Sequence, residues 1–206
     1  MIVMGTPAPA RLLSRVLAAL LCLSLASCGY NNIPTLEEAA KAKWADVQNN
    51  YQRRADLIPN LVETVKGYMA HERGTMEAVI AARAAAMTGL SAAKANPGDP
   101  NAMAELANSQ GTLNGALGRL MAVAEAYPDL KANQNMMQLT EELTSTENKV
   151  AFSRQAFNDA VMGYNNKREV FPNSLFAGMF NFAPATLLEI PADKQADVRA
   201  APKVSF

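Results

Sequence analysis

Residues 44–69 read WADVQNNYQRRADLIPNLVETVKGYM, with an apolar side chain at every third or fourth step: Trp44, Val47, Tyr51, Ala55, Ile58, Val62, Val65 and Met69. An α-helix turns once in about 3.6 residues, so these positions align in one narrow seam, the pattern of helices packed at shallow angles. The stepping continues to Met76 and Val79, with Glu72 as the polar residue on it. This predicts a first helix of roughly 50 residues, some 75 Å if unbroken. Thr35 and Glu38 are spaced as a capping box at its start. Pro59 lacks an amide and collides with the carbonyl four residues back, so a kink or break is expected there.

Outward from this stretch the pattern repeats. TGLSAAKANPGDP, Thr88 to Pro100, reads as a linker rich in turn residues. Asp99 and Pro100 then restart a helix as cap and first-turn residue. Its seam is Met103, Leu106, Gln110, Leu113, Leu117, Leu120, Ala124 and Tyr127, with Gly111, Gly115 and Gly118 near one side for a close approach between helices. Tyr127-Pro128-Asp129 makes a turn. A third helix, from about Leu130 or Asn133, carries Met136, Leu139, Leu143, Thr146, Val150, Phe157, Val161 and Tyr164, and stops before Phe171-Pro172. The expected fold is all-α: an elongated antiparallel bundle of three long helices plus a short C-terminal helix.

The composition agrees. Half the residues are apolar but 6% are aromatic, so alanine, leucine, valine and methionine carry the balance and favour helices. Nineteen basic residues equal nineteen acidic ones and are scattered, which excludes the electrostatic footprint of a nucleic-acid binder. His71 is the single histidine and reads as a surface helix residue, so no histidine cluster for a metal exists. Glu141 and Glu142 are sequence neighbours and point about 100° apart on a helix, with no nucleophile beside them. No phosphate-cradling glycine loop is present. No catalytic residue, metal ligand or cofactor is assigned.

The N-terminal segment decides location. Arg11 and Arg15 precede a short run of apolar and small residues ending at Ser27, too short for a bilayer span of roughly 20 residues and suited to a secretory leader. Leu25-Ala26-Ser27-Cys28 resembles the bacterial lipobox, whose cysteine is acylated and becomes the first mature residue. Cys28 is therefore the expected lipidation site, with a plain cleaved secretory signal or an uncleaved N-terminal helix as the alternatives. Losing the leader removes Cys22 and two arginines, leaving 17 basic against 19 acidic groups. Gly29 is not the aspartate that holds such lipoproteins at the inner membrane, which favours the outer one, facing the periplasm. The expected divisions are 1–27 signal peptide, 28–34 tether, 35–182 bundle and 183–206 extended tail.

YQRRADLIPNLVETVKGY (Tyr51–Tyr68), AEAYPDLKAN (Ala124–Asn133), LTEELTSTENKVAFSRQAFNDAVMGYN (Leu139–Asn165) and the closing APKVSF (Ala201–Phe206) resemble, in order, the motifs of the LemA family. The resemblance covers nearly all of the mature chain. Departures are Met136-Met137, where the family more often has a bulky pair, and Phe157, where it more often has tyrosine. It implies an α-helical, membrane-tethered envelope protein of poorly defined molecular activity.

The polar residues inside these motifs are Arg53, Arg54, Asp56, Pro59 and Asn60 on the first helix and Glu141, Glu142, Glu147, Asn148 and Arg154 on the third. Asn60 and Asn148 are expected to face inward, with arginine–carboxylate pairs crossing between helices to fix register. An asparagine amide is expected to satisfy the Ala55 carbonyl orphaned by Pro59. The sharper alternative is a polar groove at the kink that binds a partner or ligand. Residues 171–182 hold four of the seven phenylalanines and read as a short helix, begun at Asn173 or Ser174, plugging one end of the bundle; the alternative is an exposed apolar patch for a partner or the lipid surface. The functional expectation is a lipid-anchored, non-enzymatic scaffold or interaction module with another envelope protein as partner and no nucleic acid. A carrier holding a small ligand between its helices is the rival.

Overall fold

In a computed structural model, residue 16 and residues 32–69 and 71–189 are described; the leader, Cys28 and the closing APKVSF lie outside the described residues. The described residues form α1 (Asn32–Lys66), α2 (Arg73–Ala95), α3 (Pro100–Ala124), α4 (Pro128–Lys131), α5 (Gln134–Glu169) and α6 (Asn173–Met179), with no strand among them. The all-α bundle stands as expected, but the long first segment is two helices. The chain turns back between Gly67 and Glu72, so α1, α2, α3 and α5 run alternately up and down. Glycine is a poor helix residue, and Met69 just beyond it is fully buried in the core, which closes the turn. His71 lies exposed in this connection and not on a helix.

Pro59 neither ends nor breaks α1, which continues through it to Lys66. The start also differs. α1 begins at Asn32, ahead of Thr35 and inside the stretch read as tether; Pro34 sits in the first turn, where its missing amide costs nothing. Glu38 pairs with Lys41 one turn on. The segment read as a long linker is mostly helix, since α2 reaches Ala95 and the connection to α3 spans 96–99. Two other ends match the sequence. Asp99 Oδ1 accepts the Asn101 amide at 2.9 Å to cap α3, and Asn133 Oδ1 accepts the Met136 amide at 3.1 Å to cap α5.

α1 lies closely along α5, and α2 along both α1 and α3. The predicted seam is the buried one: Trp44, Val47, Tyr51, Ala55, Ile58, Val62 and Val65 are all inside. Trp44 meets Phe157 of α5 with ring centroids 5.4 Å apart. Full burial of a side chain such as Val47 or Ile58 contributes on the order of 1.5–3 kcal/mol. The expected glycine contact is misplaced: a Cβ at Gly115 or Gly118 would meet nothing within 4 Å. The close approach is instead at Gly89 of α2, where a Cβ would lie 3.3 Å from Leu106 Cα of α3. With no Cβ at this position, the two backbones pack directly.

The core has two apolar clusters. One gathers the far halves of the helices around Ile58, Val65, Met69, Leu117 and Leu120. The other gathers Trp44, Val47, Met103, Leu106, Phe157 and Val161 nearer the start of α1. At that near end, α6 packs through Ala177 against Ile33 and Tyr164, so the phenylalanine-rich segment does plug the bundle.

Candidate functional site

Between the two clusters lies a polar layer. Arg54 of α1 follows Tyr51 by three residues and precedes Ile58 by four, which puts it on the seam; it is 1% exposed. Its guanidinium donates through Nη1 to Asn114 Oδ1 and through Nη2 to Gln110 Oε1, both on α3. Gln110 in turn donates to the Ala86 carbonyl of α2 at 3.3 Å. The Arg54 carbon Cζ sits 5.5 Å from the Tyr51 ring centroid, within cation–π reach. Burial pushes the guanidinium below its ordinary value, opposed by Tyr51 and by the carboxylate of Glu147 on α5. Burial likewise raises the Tyr51 phenol, while Arg154 and Arg54 pull it down. Nε of Arg54 and of Arg154 are both buried with no partner.

This layer does the work expected of other residues. Asn60 and Asn148 are exposed and do not face inward. No arginine–carboxylate pair crosses between helices among the described residues; the ion pairs there run within single helices, as Lys41–Glu37 does at 2.9 Å. Register is held by Arg54 against two amide side chains instead. Gln110 was visible on the α3 seam, and the 47–51–54–58 spacing of α1 is the signal that marks Arg54. The carbonyl that Pro59 orphans is indeed that of Ala55, but its donor is no asparagine: Arg83 Nε of α2 reaches it at 2.6 Å. Arg53, Asp56, Pro59 and Glu142 are exposed, Asp56 accepting from Gln52 at 2.9 Å within α1. Arg53, Asp56, Pro59 and Asn60 thus stand on the outer face of α1 and are not gathered with Glu142 and Asn148 into a polar groove.

Two asparagines missed in the sequence hold the C-terminal segment. Asn165 donates to the Ala185 carbonyl at 2.8 Å and accepts its amide at 3.0 Å. Asn158 does the same for Leu188, at 3.1 and 2.9 Å. Seven helical residues rise about 10.5 Å and three extended residues span about 10 Å, so the two pairs are in register along an antiparallel strap. Arg154 adds a bond to the Leu188 carbonyl at 3.3 Å, and the Leu188 side chain is fully buried in the nearer cluster. The 183–189 stretch is therefore part of the bundle's wall; residues 190–206 lie outside the described residues.

The bundle is not closed all round. Between the end of α3 and the start of α5 lies an apolar groove of about 750 Å³, open to solvent. Met121, Ala124, Leu130, Met136 and Met137 form its lining, and Glu125, Lys131, Glu141, Thr144 and Asn148 its polar rim. Met137 is 53% exposed. From Met136 to Asn148 the groove follows α5 for about 18 Å. Methionine side chains adapt to varied apolar partners. The groove lies at the end of the bundle farthest from Asn32, since α1 runs away from that residue and α5 runs back toward it.

A profile described as LemA family matches residues 43–206. Magnetosome protein MamQ 2 of Paramagnetospirillum magneticum (strain AMB-1) is 26% identical over 197 residues, covering 87% of this chain and 71% of the relative. Magnetosome protein MamQ of Magnetospirillum gryphiswaldense is 28% identical over 154 residues, covering 66% of this chain and 56% of the relative.

Proposed function

The chain belongs to the LemA family, and from that membership and the open groove we propose a membrane-tethered, non-enzymatic envelope protein that presents the groove to a helix of a partner protein. The family and the relatives named for the magnetosome support a place at a membrane. Cys28 is the proposed lipid anchor, at the outer membrane and facing the periplasm. No resident cofactor and no nucleic acid enter this reading.

The observation that carries it is the gap between α3 and α5. Met137 stands 53% exposed on its wall, beside the partly buried Met121 and the buried Met136, while α1 packs along α2 and α5, and α2 along α3. An amphipathic helix of about three turns fits an 18 Å trough and would bury its apolar face there. Acidic and basic groups on the rim, Glu125, Glu141 and Lys131, would set its orientation.

A photoreactive residue at Thr144, exposed on the rim, tests this in cells. The expected product is a cross-link to one envelope protein, abolished by Met137→Glu and not formed from Ile80 on α2. Equal cross-linking from Ile80, or persistence in Met137→Glu, refutes it. Intact mass of the extracted protein beside Cys28→Ala tests the anchor: a chain from residue 28 plus diacylglycerol is expected, and a full unmodified chain refutes it. The same groove supports the carrier as a second reading. Sites for small ligands generally bury most of the molecule, whereas this one is open along its length, so the helix is preferred. A small molecule retained in native mass spectra and lost in Met137→Glu would reverse that preference.

A further inference from the structure

The short helix α6 has two unlike faces. Asn173 and Ala177 are buried against the bundle. Leu175 and Met179, two residues on from each, stand about 200° round the helix and point away from it. They are 62% and 75% exposed, and Phe171 just ahead of the helix is 75% exposed. Together these make an apolar surface with nothing of the described residues packed over it, in a protein whose other large apolar side chains mostly sit in the seams.

Its place in the fold says what covers it. Ala177 shares a cluster with Ile33, the second residue of α1, so α6 sits beside the point where the chain enters the bundle. The apolar run in the sequence ends at Ser27, and the five residues to Asn32 can span at most about 18 Å. A bilayer holding the chain at or before Cys28 is therefore within reach of α6, whereas the methionine groove faces the opposite end.

We propose that the outer face of α6, formed by Phe171, Leu175 and Met179, is a second membrane contact that seats in the lipid interface beside the N-terminal tether. This rests on the tethered reading of the N-terminus. A lipid tether holds the chain at the surface without fixing how the bundle is turned, and a second apolar contact sets that orientation. Side chains of this kind embed some 5–10 Å into the headgroup boundary. The tether alone would let the bundle swivel; seating α6 as well stands it up from the surface with its groove outward.

The full chain, reconstituted in vesicles of phosphatidylethanolamine and phosphatidylglycerol with brominated acyl chains, tests this through Met179→Trp and, as control, Phe152→Trp. Phe152 is 74% exposed on α5, about 26 Å of helix from Glu169. The native Trp44 is buried and gives a common background. The expected result is that bromolipid quenches the Met179→Trp signal at least severalfold more than the control, while aqueous iodide does the reverse. If the chain stays on the vesicles but Met179→Trp is quenched by iodide as the control is, the proposal is overturned and the tether stands. Protection from both quenchers overturns it too, since a protein surface then covers α6. A chain that does not stay on the vesicles overturns both. Adding Leu175→Glu to Met179→Glu should leave the chain on the membrane, held by its tether. Release of that variant, with Met179→Trp quenched by lipid, upholds the α6 contact and refutes the tether.

Discussion

Replacing Arg83 by methionine removes one hydrogen bond, and its cost depends on a proline 24 residues earlier. In an uninterrupted helix the Ala55 carbonyl would accept the amide of residue 59, but Pro59 has none. Ala55 is 2% exposed, so water is a poor substitute, and Arg83 Nε fills the vacancy at 2.6 Å. A hydrogen bond from a charged donor contributes about 1.5–3 kcal/mol, and leaving the acceptor unsatisfied costs a similar amount. Methionine keeps the aliphatic volume, so Arg83→Met should cost about 2 kcal/mol, or about 4–8 °C in Tm for a chain of this size. In a Pro59→Ala background the new amide takes the Ala55 carbonyl and the same change should cost under about 0.5 kcal/mol. Pro59→Ala alone should stabilise, because proline inside a helix is disfavoured by about 3 kcal/mol relative to alanine. Urea unfolding followed by circular dichroism, in one detergent for all four proteins, gives the cycle. Equal cost of Arg83→Met in both backgrounds would refute the reasoning.

Gln110→Leu should lose about 1.5–3 kcal/mol, because the buried Arg54 guanidinium gives up one of its two amide partners, whereas adding Arg54→Met removes the charge along with that acceptor and should recover most of the loss; no recovery in urea unfolding would contradict a charge held by amide partners. Gly89→Ala places a Cβ 2.6 Å from Ser109 Oγ and 3.3 Å from the Leu106 backbone, so the overpacking loss of about 1–3 kcal/mol should outweigh a helix-propensity gain of about 1 kcal/mol, and Ser109→Ala should restore part of the melting temperature. Asn158→Ala with Asn165→Ala should release the strap, read as limited proteolysis between residues 180 and 190 with the helices intact; unchanged protection would mean that Leu188 packing alone holds it. Burial raises the phenols of Tyr51 and Tyr164 above their ordinary value. Above pH about 10 the unfolded chain gives up these protons first, so stability should fall as pH rises from there, and Tyr51→Phe should flatten the fall.

The fold was legible because its main signal is periodic. The seam from Trp44 to Val65 needs no tertiary knowledge, and the caps at Asp99 and Asn133 are chemical signals local to a few residues. Breaks were harder. Pro59 is the stronger local disruptor, yet its orphaned carbonyl is satisfied from α2, while the weaker signal at Gly67 ends the helix because Met69 has a core to enter. Both outcomes depend on what packs alongside, which no spacing reveals. The same holds for the polar layer. Asparagine and glutamate looked like interior polar groups by type, whereas the seam spacing of Arg54 and Gln110 identifies the true pair by position. The groove and the strap were not legible, since one is a gap between elements and the other pairs backbone groups of a segment with side chains some 20–30 residues earlier.

The polar layer bears on function through geometry. α1 spans 35 residues, about 52 Å, and separates the end where the chain enters from the end where the groove opens. A bundle with uniformly apolar seams can slip by a turn at modest cost, because one apolar contact replaces another. Here a slip of one turn, about 5.4 Å, would carry the Arg54 guanidinium away from Gln110 and Asn114 and into the cluster around Ile58 and Leu117. Removing the partners of a buried charge costs about 3–5 kcal/mol, a large share of a domain's net stability. A single arginine that makes no salt bridge thus fixes the sliding coordinate of the helices, and with it the distance between the two ends. A stiff coordinate of this kind is what the proposed role, holding a partner at a set height above a membrane, requires.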